Sequence, residues 1–467
     1  MTGAGVSDPE NLTEDGATGE VPADERPLVR FRVTENVALL YLADPPGNAL
    51  SAPMREALSR RLDEIERRAR IEAVVLMAEG SVFSVAMPAG PETVDGPADA
   101  PGMAALCARI EAMPIPVIAV LQGAAMGSGA DLAFACHIRI ATRSARIGFP
   151  DIAVGLPPEG GATQRLPRLA GVGIALRLLL TGRPVTAPTA LEFGLIDGLV
   201  EGDAHSAGFA TARRVLDDGP RPPPARERRD QLIDGAAAMA EIARARAALG
   251  PAALFAARRI SDCVEAALLL PFETGLDFEA EAHDECRAHP ESLAMRALYL
   301  AERRISPALV VADDEGRRHP RPEGQAAIAR LGAAQKRAID WLLARGVAPA
   351  GIDAAFLERG FARGPMSAGG AAEPSDPETW ERITGALLAE GARMIEDGTV
   401  RRAGDIDALA VHGMGWPRRL GGPMIAARIA GLAGRLRRLR DWQGQDPVWT
   451  PSVPLVDATK TADGFPT

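Results

Sequence analysis

Between residues 116 and 131, a strand, a glycine-rich turn and the start of a helix follow one another directly. The apolar run from Pro116 to Leu121 breaks at Gly123, the next residues are small, and an apolar helical pattern begins at Asp131. A helix that starts in this way leaves the backbone N–H groups of its first turn unpaired, and its dipole favours negative charge there. The segment therefore predicts a site that binds or stabilises negative charge.

The pattern before this segment indicates an α/β domain. Residues 28–42 alternate between apolar and polar around a turn, which predicts two strands, and four apolar residues within 54–65 have the spacing of a buried helix face. Residues 71–77 have the composition of a buried strand. Strands that alternate with helices predict a mainly parallel sheet with crossover connections.

A long loop and a helical second half account for the remaining chain. Residues 79–101 are rich in glycine, proline and alanine and lack periodicity, which predicts a loop of the length that often carries function. After Val200 we expect no further strands, a proline- and charge-rich break at 313–322, and a frayed tail from Gln443. Helices are predicted within 104–113, 207–215, 231–304, 325–343, 380–396 and 423–442.

Composition excludes several classes of function. The 467 residues carry a formal charge of -10, which argues against binding to a nucleic-acid backbone. The four cysteines form no C-x-x-C pair, which suits a reducing compartment. The first 28 residues lack the apolar core of a signal peptide, and no apolar run is long enough to span a membrane. We therefore expect a cytoplasmic protein.

Three ordered motifs carry a resemblance to a known superfamily. They are IPVIAVLQGAAMGSGADLAFACHIRIA from residue 115, IGFPDIAVGLPPEGGATQRLPRL from residue 147 and TGRPVTAPTALEFGLIDGLV from residue 181. Over residues 29 to 200 the chain resembles the crotonase superfamily of enoyl-CoA hydratases and isomerases. The resemblance implies an α/β fold of the crotonase type, a ββα spiral, followed here by an all-α C-terminal region.

The helical half is similar to a second family. Residues 325–424 resemble the C-terminal helical domains of 3-hydroxyacyl-CoA dehydrogenases, and PFETGLDFEAEAHDECRAHPESLAM from residue 271 resembles the linker of type 1 multifunctional β-oxidation enzymes. No G-x-G-x-x-G motif follows a predicted strand, so we expect neither NAD binding nor dehydrogenase activity. The expected parts are a flexible acidic N-terminus (1–27), a crotonase-like domain (28–220), a helical linker (221–312) and a dehydrogenase-like helical domain (313–467).

The resemblance also implies a set of substrate-binding residues. In crotonases, two backbone N–H groups bind the thioester oxygen and stabilise an enolate, and the matching residues are Met87 and Ser128. No cofactor is implied other than the CoA of the substrate. The residues that the resemblance places at the acyl-CoA itself are Ser84, Ala86, Gly127, Gly155 and Pro158.

Three acids are the candidate proton-transfer groups. The two glutamate positions of the family fall on Asp131 and Asp151, whose side chains are shorter by roughly 1.5 Å, one carbon–carbon bond. Glu159 occupies a position that is acidic in dienoyl-CoA isomerases. Each acid also has a structural interpretation: Asp131 as a helix cap, Asp151 as a turn residue and Glu159 as a solvated loop charge.

The resulting expectation is an acyl-CoA enzyme that adds water to a 2-enoyl-CoA. The alternatives are an enoyl-CoA or dienoyl-CoA isomerase and a degenerate acyl-CoA-binding scaffold without catalysis. No metal is expected, since His137 lies on an apolar helix without a second histidine at ligand spacing, and His412 is interpreted as a packing residue. The multifunctional arrangement favours a monomer over the homo-oligomers that free-standing crotonases form.

Overall fold

The computed structural model describes residues 27–85, 100–219, 221–250, 252–367, 375–461 and 464–465. The predicted N-terminal segment up to residue 26 and residues 86–99 of the predicted loop lie outside these ranges. The described chain begins with a larger sheet whose strands are, in spatial order, β1 (Val29–Thr34), β2 (Val37–Leu42), β3 (Ala73–Ala78), β5 (Val117–Leu121), β7 (Ile138–Thr142) and β10 (Gly198–Val200).

The larger sheet is mainly parallel, which confirms the prediction from the alternation of strands and helices. Its first pair, β1 and β2, is antiparallel, and all later neighbours are parallel. A smaller sheet stands beside it, with three parallel strands and one antiparallel edge. Its strands are, in order, β4 (Ser84–Val85), β6 (Ala124–Met126), β8 (Arg146–Gly148) and β9 (Val185–Thr186).

Helices connect these strands and then make up most of the chain. In the first half they are α1 (Ala52–Glu66), α2 (Met103–Glu111), α3 (Ser128–Ala135), α4 (Ala162–Ala170), α5 (Val172–Thr181), α6 (Ala187–Glu192) and α7 (Ala204–Asp218). They continue with α8 (Gly235–Leu249), α9 (Phe255–Leu269), α10 (Phe272–Ala288) and α11 (Pro290–Arg304). The C-terminal helices are α12 (Pro322–Leu343), α13 (Pro349–Leu357), α14 (Pro377–Glu396), α15 (Ala403–Met414), α16 (Pro423–Ile429), α17 (Leu432–Trp442) and α18 (Val453–Ala458).

The larger sheet is buried on both faces. Along β3, for example, Val75 packs with α7 on one face, whereas Val74 and Leu76 face the main core on the other. The main core also includes Ile242 of α8 and Ile260 of α9, so apolar packing continues past residue 220 into the helical linker. A separate core holds the C-terminal helices together. No described helix combines the length and the apolar character that crossing a membrane requires.

Two predictions for the second half are wrong. A strand pair, β11 (Val310–Ala312) and β12 (Arg318–Pro320), forms at the predicted break, because the side chain of Asp313 accepts hydrogen bonds from the backbone N–H groups of Glu315 and Arg317 and closes a turn. The expected frayed tail instead contains α18 and packs on the C-terminal core. Trp449 is fully buried there and lies edge-on to the ring of Trp341.

Candidate active site

The start of α3 is shaped by glycines. Gly127, with φ of +54°, precedes the helix, and its N–H donates to the carbonyl oxygen of Gly148 at 2.9 Å. At Gly129 a β-carbon would lie 2.5 Å from the backbone oxygen of Ser84, so only glycine lets β4 approach the helix this closely. Ser128 is the first helical residue, and the helix itself does not use its N–H. This confirms the predicted strand, turn and helix start.

Asp131 lies in the first turn of α3 and is 1% exposed. Both carboxylate oxygens lack a hydrogen-bond partner among the described residues. Its side chain packs on the loop backbone, since a β-carbon at Gly160 would lie 2.5 Å from Asp131 Cγ. Burial, followed by the negative charges of Glu279 and Asp151, raises the pKa of Asp131 well above 3.8. Its environment therefore favours the protonated acid.

Asp151 is the second residue of a short 3-10 turn, Pro150–Val154, which lies near the same helix start. A β-carbon on Gly127 would lie 3.2 Å from Asp151 Oδ1, which places this carboxylate against the residue that precedes α3. Burial raises the pKa of Asp151 to about 6, although its own backbone N–H and His283 favour the charged form. Asp151 is therefore the more easily ionised of the two aspartates.

Glu159 lies in the loop before α4 and reaches back to the start of α3. Its Oε1 accepts a hydrogen bond from Ser128 Oγ at 3.2 Å, and its side chain is 46% exposed. Its Oε2 lies 4.0 Å from Nε2 of His283. The structure thus brings the three predicted acids to one helix start, each from a different element.

Two further residues of this cluster, Glu279 and His283, lie on α10 and were missed by the sequence analysis. Glu279 is 1% exposed and accepts hydrogen bonds from the N–H groups of Gly161 at 2.6 Å and Thr163 at 2.9 Å, and from the Thr163 hydroxyl. It therefore caps α4 from a helix that lies more than 100 residues later in the chain. The only sequence signal is the acid-rich linker motif, whose packing partner periodicity cannot identify.

A buried ion pair holds the loop beneath Asp131. Arg165 and Glu111 are both fully buried, with 2.8 Å between Arg165 Nη2 and Glu111 Oε2. Arg165 Nη1 donates to the carbonyl oxygen of Gly160 at 2.6 Å, and Gly160 is the residue that packs on Asp131. Arg165 is also the nearby cation that lowers the pKa of Asp131, against the larger effect of burial.

The predicted substrate-binding residues are distributed around this cluster. Ser84 is buried on β4, and Pro158 is buried directly before Glu159. Gly155 contacts α11, where a β-carbon would lie 3.0 Å from Ser292 Cα. Ala86 and Met87 lie outside the described residues, so the second backbone donor stays a prediction.

The two histidines that the sequence analysis set aside have structural partners. His137 is fully buried, its Nδ1 accepts from the N–H of Val117 at 3.0 Å, and burial lowers its pKa to about 4. His412 contacts Glu302 at 2.7 Å. No group of three or more histidine, cysteine, aspartate or glutamate residues with the geometry of a metal site occurs in the described part of the chain.

The cap that Glu279 provides leads to a stability prediction. We expect Glu279→Ala to lower the free energy of unfolding by about 2–3 kcal/mol, because it leaves buried N–H groups of α4 unpaired. Glu279→Gln keeps one acceptor oxygen, so its free energy of unfolding is expected to fall less than that of Glu279→Ala. Urea unfolding of both variants measures the difference, and an alanine variant as stable as the wild type would contradict the capping role.

Comparison with known proteins identifies the family. The family model for enoyl-CoA hydratase/isomerase matches residues 32–220. The "Peroxisomal bifunctional enzyme" of Danio rerio is 33% identical over 284 residues, which cover 58% of this chain and 37% of that protein. The "Probable enoyl-CoA hydratase" of Bacillus subtilis (strain 168) is 39% identical over 173 residues, which cover 36% of this chain and 67% of that protein.

Solved structures of similar proteins include DspI of Pseudomonas aeruginosa, with 30% identity, a TM-score of 0.39, and coverage of 43% of this chain and 85% of that one. Another is the enoyl-CoA hydratase of Bacillus anthracis, with 25% identity, a TM-score of 0.38, and coverage of 59% and 96%. The mainly helical C-terminal region fits the context of a multifunctional enzyme. On the sequence matches, the chain belongs to the enoyl-CoA hydratase/isomerase family, and it joins a crotonase fold to this helical region.

Proposed function

We propose that the protein adds water to the double bond of a 2-enoyl-CoA thioester. Asp151 accepts a proton from water as its oxygen bonds to C3, and Asp131 delivers a proton to C2. Between these events the negative charge lies on the thioester oxygen, near the N–H groups of Ser128 and Met87. Glu159 is an auxiliary acid. The product is a 3-hydroxyacyl-CoA, and no NAD is required.

The observation that carries this proposal is the difference between the two aspartate environments. Asp131 is almost fully buried and both of its carboxylate oxygens lack a partner among the described residues, whereas only Oδ2 of Asp151 lacks one, and its own N–H and His283 favour its charged form. Hydration needs one protonated carboxyl and one ionised carboxylate at the same time. Environments that push two pKa values apart support this division of roles.

The helix start supports the charge-stabilising role. The Ser128 N–H belongs to the first turn of α3, where the helix dipole favours negative charge. Losing one such donor in other enzymes costs about 2.7–4 kcal/mol of barrier. Because the donor is a backbone group, the serine side chain does not prevent this role.

The direct assay mixes purified protein with crotonyl-CoA or a longer 2-enoyl-CoA and follows the loss of the conjugated thioester absorbance. We expect the absorbance to fall without added NAD and mass spectrometry to find a 3-hydroxyacyl-CoA. Absence of this product for every chain length would contradict the proposal.

One observation favours a second candidate, isomerisation of a double bond. Glu159 lies between Ser128 and His283, so a third acid is available to exchange protons at a carbon beyond C3. Solvent deuterium would then enter C2 and a more distant carbon without a hydroxylated product. A degenerate acyl-CoA-binding scaffold would show neither reaction, and the Asp131→Asn and Asp151→Asn variants would keep its cellular phenotype and partner binding.

The acid–base pair predicts a bell-shaped pH dependence of kcat/KM for hydration. Because the pKa of Asp151 is about 6, the base becomes protonated and activity falls as the pH drops through 6. Activity falls again at higher pH, when Asp131, whose pKa burial raises, loses its proton. Initial rates across pH measure both limbs, and an acidic midpoint near the ordinary aspartate value would contradict the assignment of Asp151.

The same chain supplies α10 and α11 to this cluster, which supports the proposal of a monomer. Light scattering measures the mass directly, and a stable oligomer would contradict it. A cytoplasmic location also stays part of the proposal.

A further inference from the structure

His283 faces the acids from α10, four residues after Glu279. The Nδ1 atom of its ring lies 3.0 Å from the carbonyl oxygen of Pro157, and its Nε2 lies 4.0 Å from Glu159 Oε2. The side chain is 15% exposed, so the ring is mostly buried beside the acid cluster. It lies outside the segment that the family model matches.

The hydrogen bond to Pro157 determines how this ring can be protonated. A carbonyl oxygen only accepts hydrogen bonds, so Nδ1 carries a hydrogen. In the neutral ring, Nε2 would then present a lone pair to the Glu159 carboxylate, which is unfavourable. A ring that also carries a hydrogen on Nε2 would instead turn positive charge toward Glu159 Oε2, at a separation that suits an ion pair and is too long for a hydrogen bond.

The charges around His283 make its contact with Glu159 important. Asp131 on α3, Asp151 on the 3-10 turn, Glu159 on the loop and Glu279 on α10 are all acids of one cluster. Several arginines on or near α10 have partners of their own. Among them are Arg165 with Glu111, Arg168 with the Gln164 carbonyl, Arg226 with Glu273, Arg259 with Asp262 and Glu285, Arg287 with Asp284, Arg296 with the Arg287 carbonyl, and Arg303 with Tyr299.

We propose that His283 is a positioning residue of the hydration site, which holds Glu159 against Ser128 through the contact of its Nε2 with the Glu159 carboxylate. The proposal rests on the proposed hydration function. Among the charges that act on Asp151, that of Glu159 raises its pKa and that of His283 lowers it. Without His283, the negative charge of Glu159 is no longer offset on this side, and the base becomes harder to ionise.

The test compares kcat/KM against pH for the wild type, His283→Leu and His283→Gln. We expect the acidic limb of both variants to move upward by up to about one pH unit, which is up to about a tenfold loss of kcat/KM below that limb. At the pH optimum the loss is smaller. His412→Leu is the matched control, because it removes another histidine that contacts a glutamate, outside the acid cluster, and it should leave the profile unchanged.

A second background separates positioning from packing. Glu159→Gln removes the carboxylate charge that His283 contacts, so adding His283→Leu should produce no further shift of the acidic limb. An unchanged limb in both single variants overturns the proposal, and so does an equal loss at every pH, which indicates packing alone. Absence of hydration by the wild type contradicts the proposed function instead. Circular dichroism identifies a variant that does not fold, and the conservative glutamine variant then decides.

Discussion

Asp131→Asn is expected to lower kcat for hydration by about 100-fold to 10,000-fold, the range typical for loss of a general acid or base. The amide has nearly the same shape as the carboxylic acid but cannot deliver a proton to C2. Steady-state kinetics on a 2-enoyl-CoA measures the loss. The substrate contacts stay in place, so KM should change much less than kcat.

The same substitution should leave the fold intact or make it more stable. The Asp131 oxygens have no hydrogen-bond partner among the described residues, so the variant breaks no described bond. The pKa of Asp131 is higher in the folded chain than its ordinary 3.8, so the folded state binds more protons above that value. The contribution of Asp131 to the free energy of unfolding therefore decreases as the pH rises from about 4. The Asp131→Asn variant cannot titrate at this position, so it lacks this decrease.

Asp407→Asn provides a matched control. Asp407 is also a buried acid with a strongly raised pKa, caused by burial, but its Oδ1 accepts from the N–H groups of Met424 and Ile425 in the C-terminal core. We expect this variant to keep wild-type turnover. If Asp131→Asn turned over like Asp407→Asn, the role of Asp131 as the acid would be wrong.

Arg165→Met is expected to lower the free energy of unfolding by about 3–5 kcal/mol, the cost of leaving one partner of a buried ion pair unpaired. Glu111 would remain fully buried without its guanidinium, and the Gly160 carbonyl would lose its donor. Because Gly160 packs on Asp131, turnover should also fall in molecules that remain folded. Denaturant unfolding followed by circular dichroism measures the stability.

Two controls show whether burial causes this effect. Arg330→Met breaks contacts with Glu390 and Asp397, but Arg330 is 36% exposed, so the expected loss is below about 1 kcal/mol. The double variant Arg165→Met/Glu111→Gln removes both buried charges and should recover part of the lost stability. Equal losses of unfolding free energy for Arg165→Met and Arg330→Met would show that burial of the Arg165–Glu111 pair does not increase its effect on stability.

The sequence predicted the parts of the site whose signals are local. A strand, a glycine turn and a helix start lie within a few residues, so the pattern located the start of α3. The family resemblance supplied Ser128, Asp131, Asp151 and Glu159, and the structure brings them together at this helix start.

The contributions of α10 could not be predicted, because they depend on packing between distant segments. Glu279 and His283 lie on a helix with an ordinary amphipathic pattern. Its periodicity does not reveal that it packs at the N-terminus of α4. The C-terminal tail was predicted wrongly for a related reason. Prolines between 447 and 454 suggested fraying, but burial of Trp449 among other aromatic rings orders the segment.

The most direct test is the protonation state of the two aspartates at the same pH. Infrared difference spectra between the wild type and each asparagine variant, at pH 7, assign the carboxyl bands to Asp131 and Asp151. The account predicts that Asp131→Asn removes a protonated carboxylic acid band and that Asp151→Asn removes an ionised carboxylate band. Loss of a carboxylate band in both variants would contradict the division into acid and base.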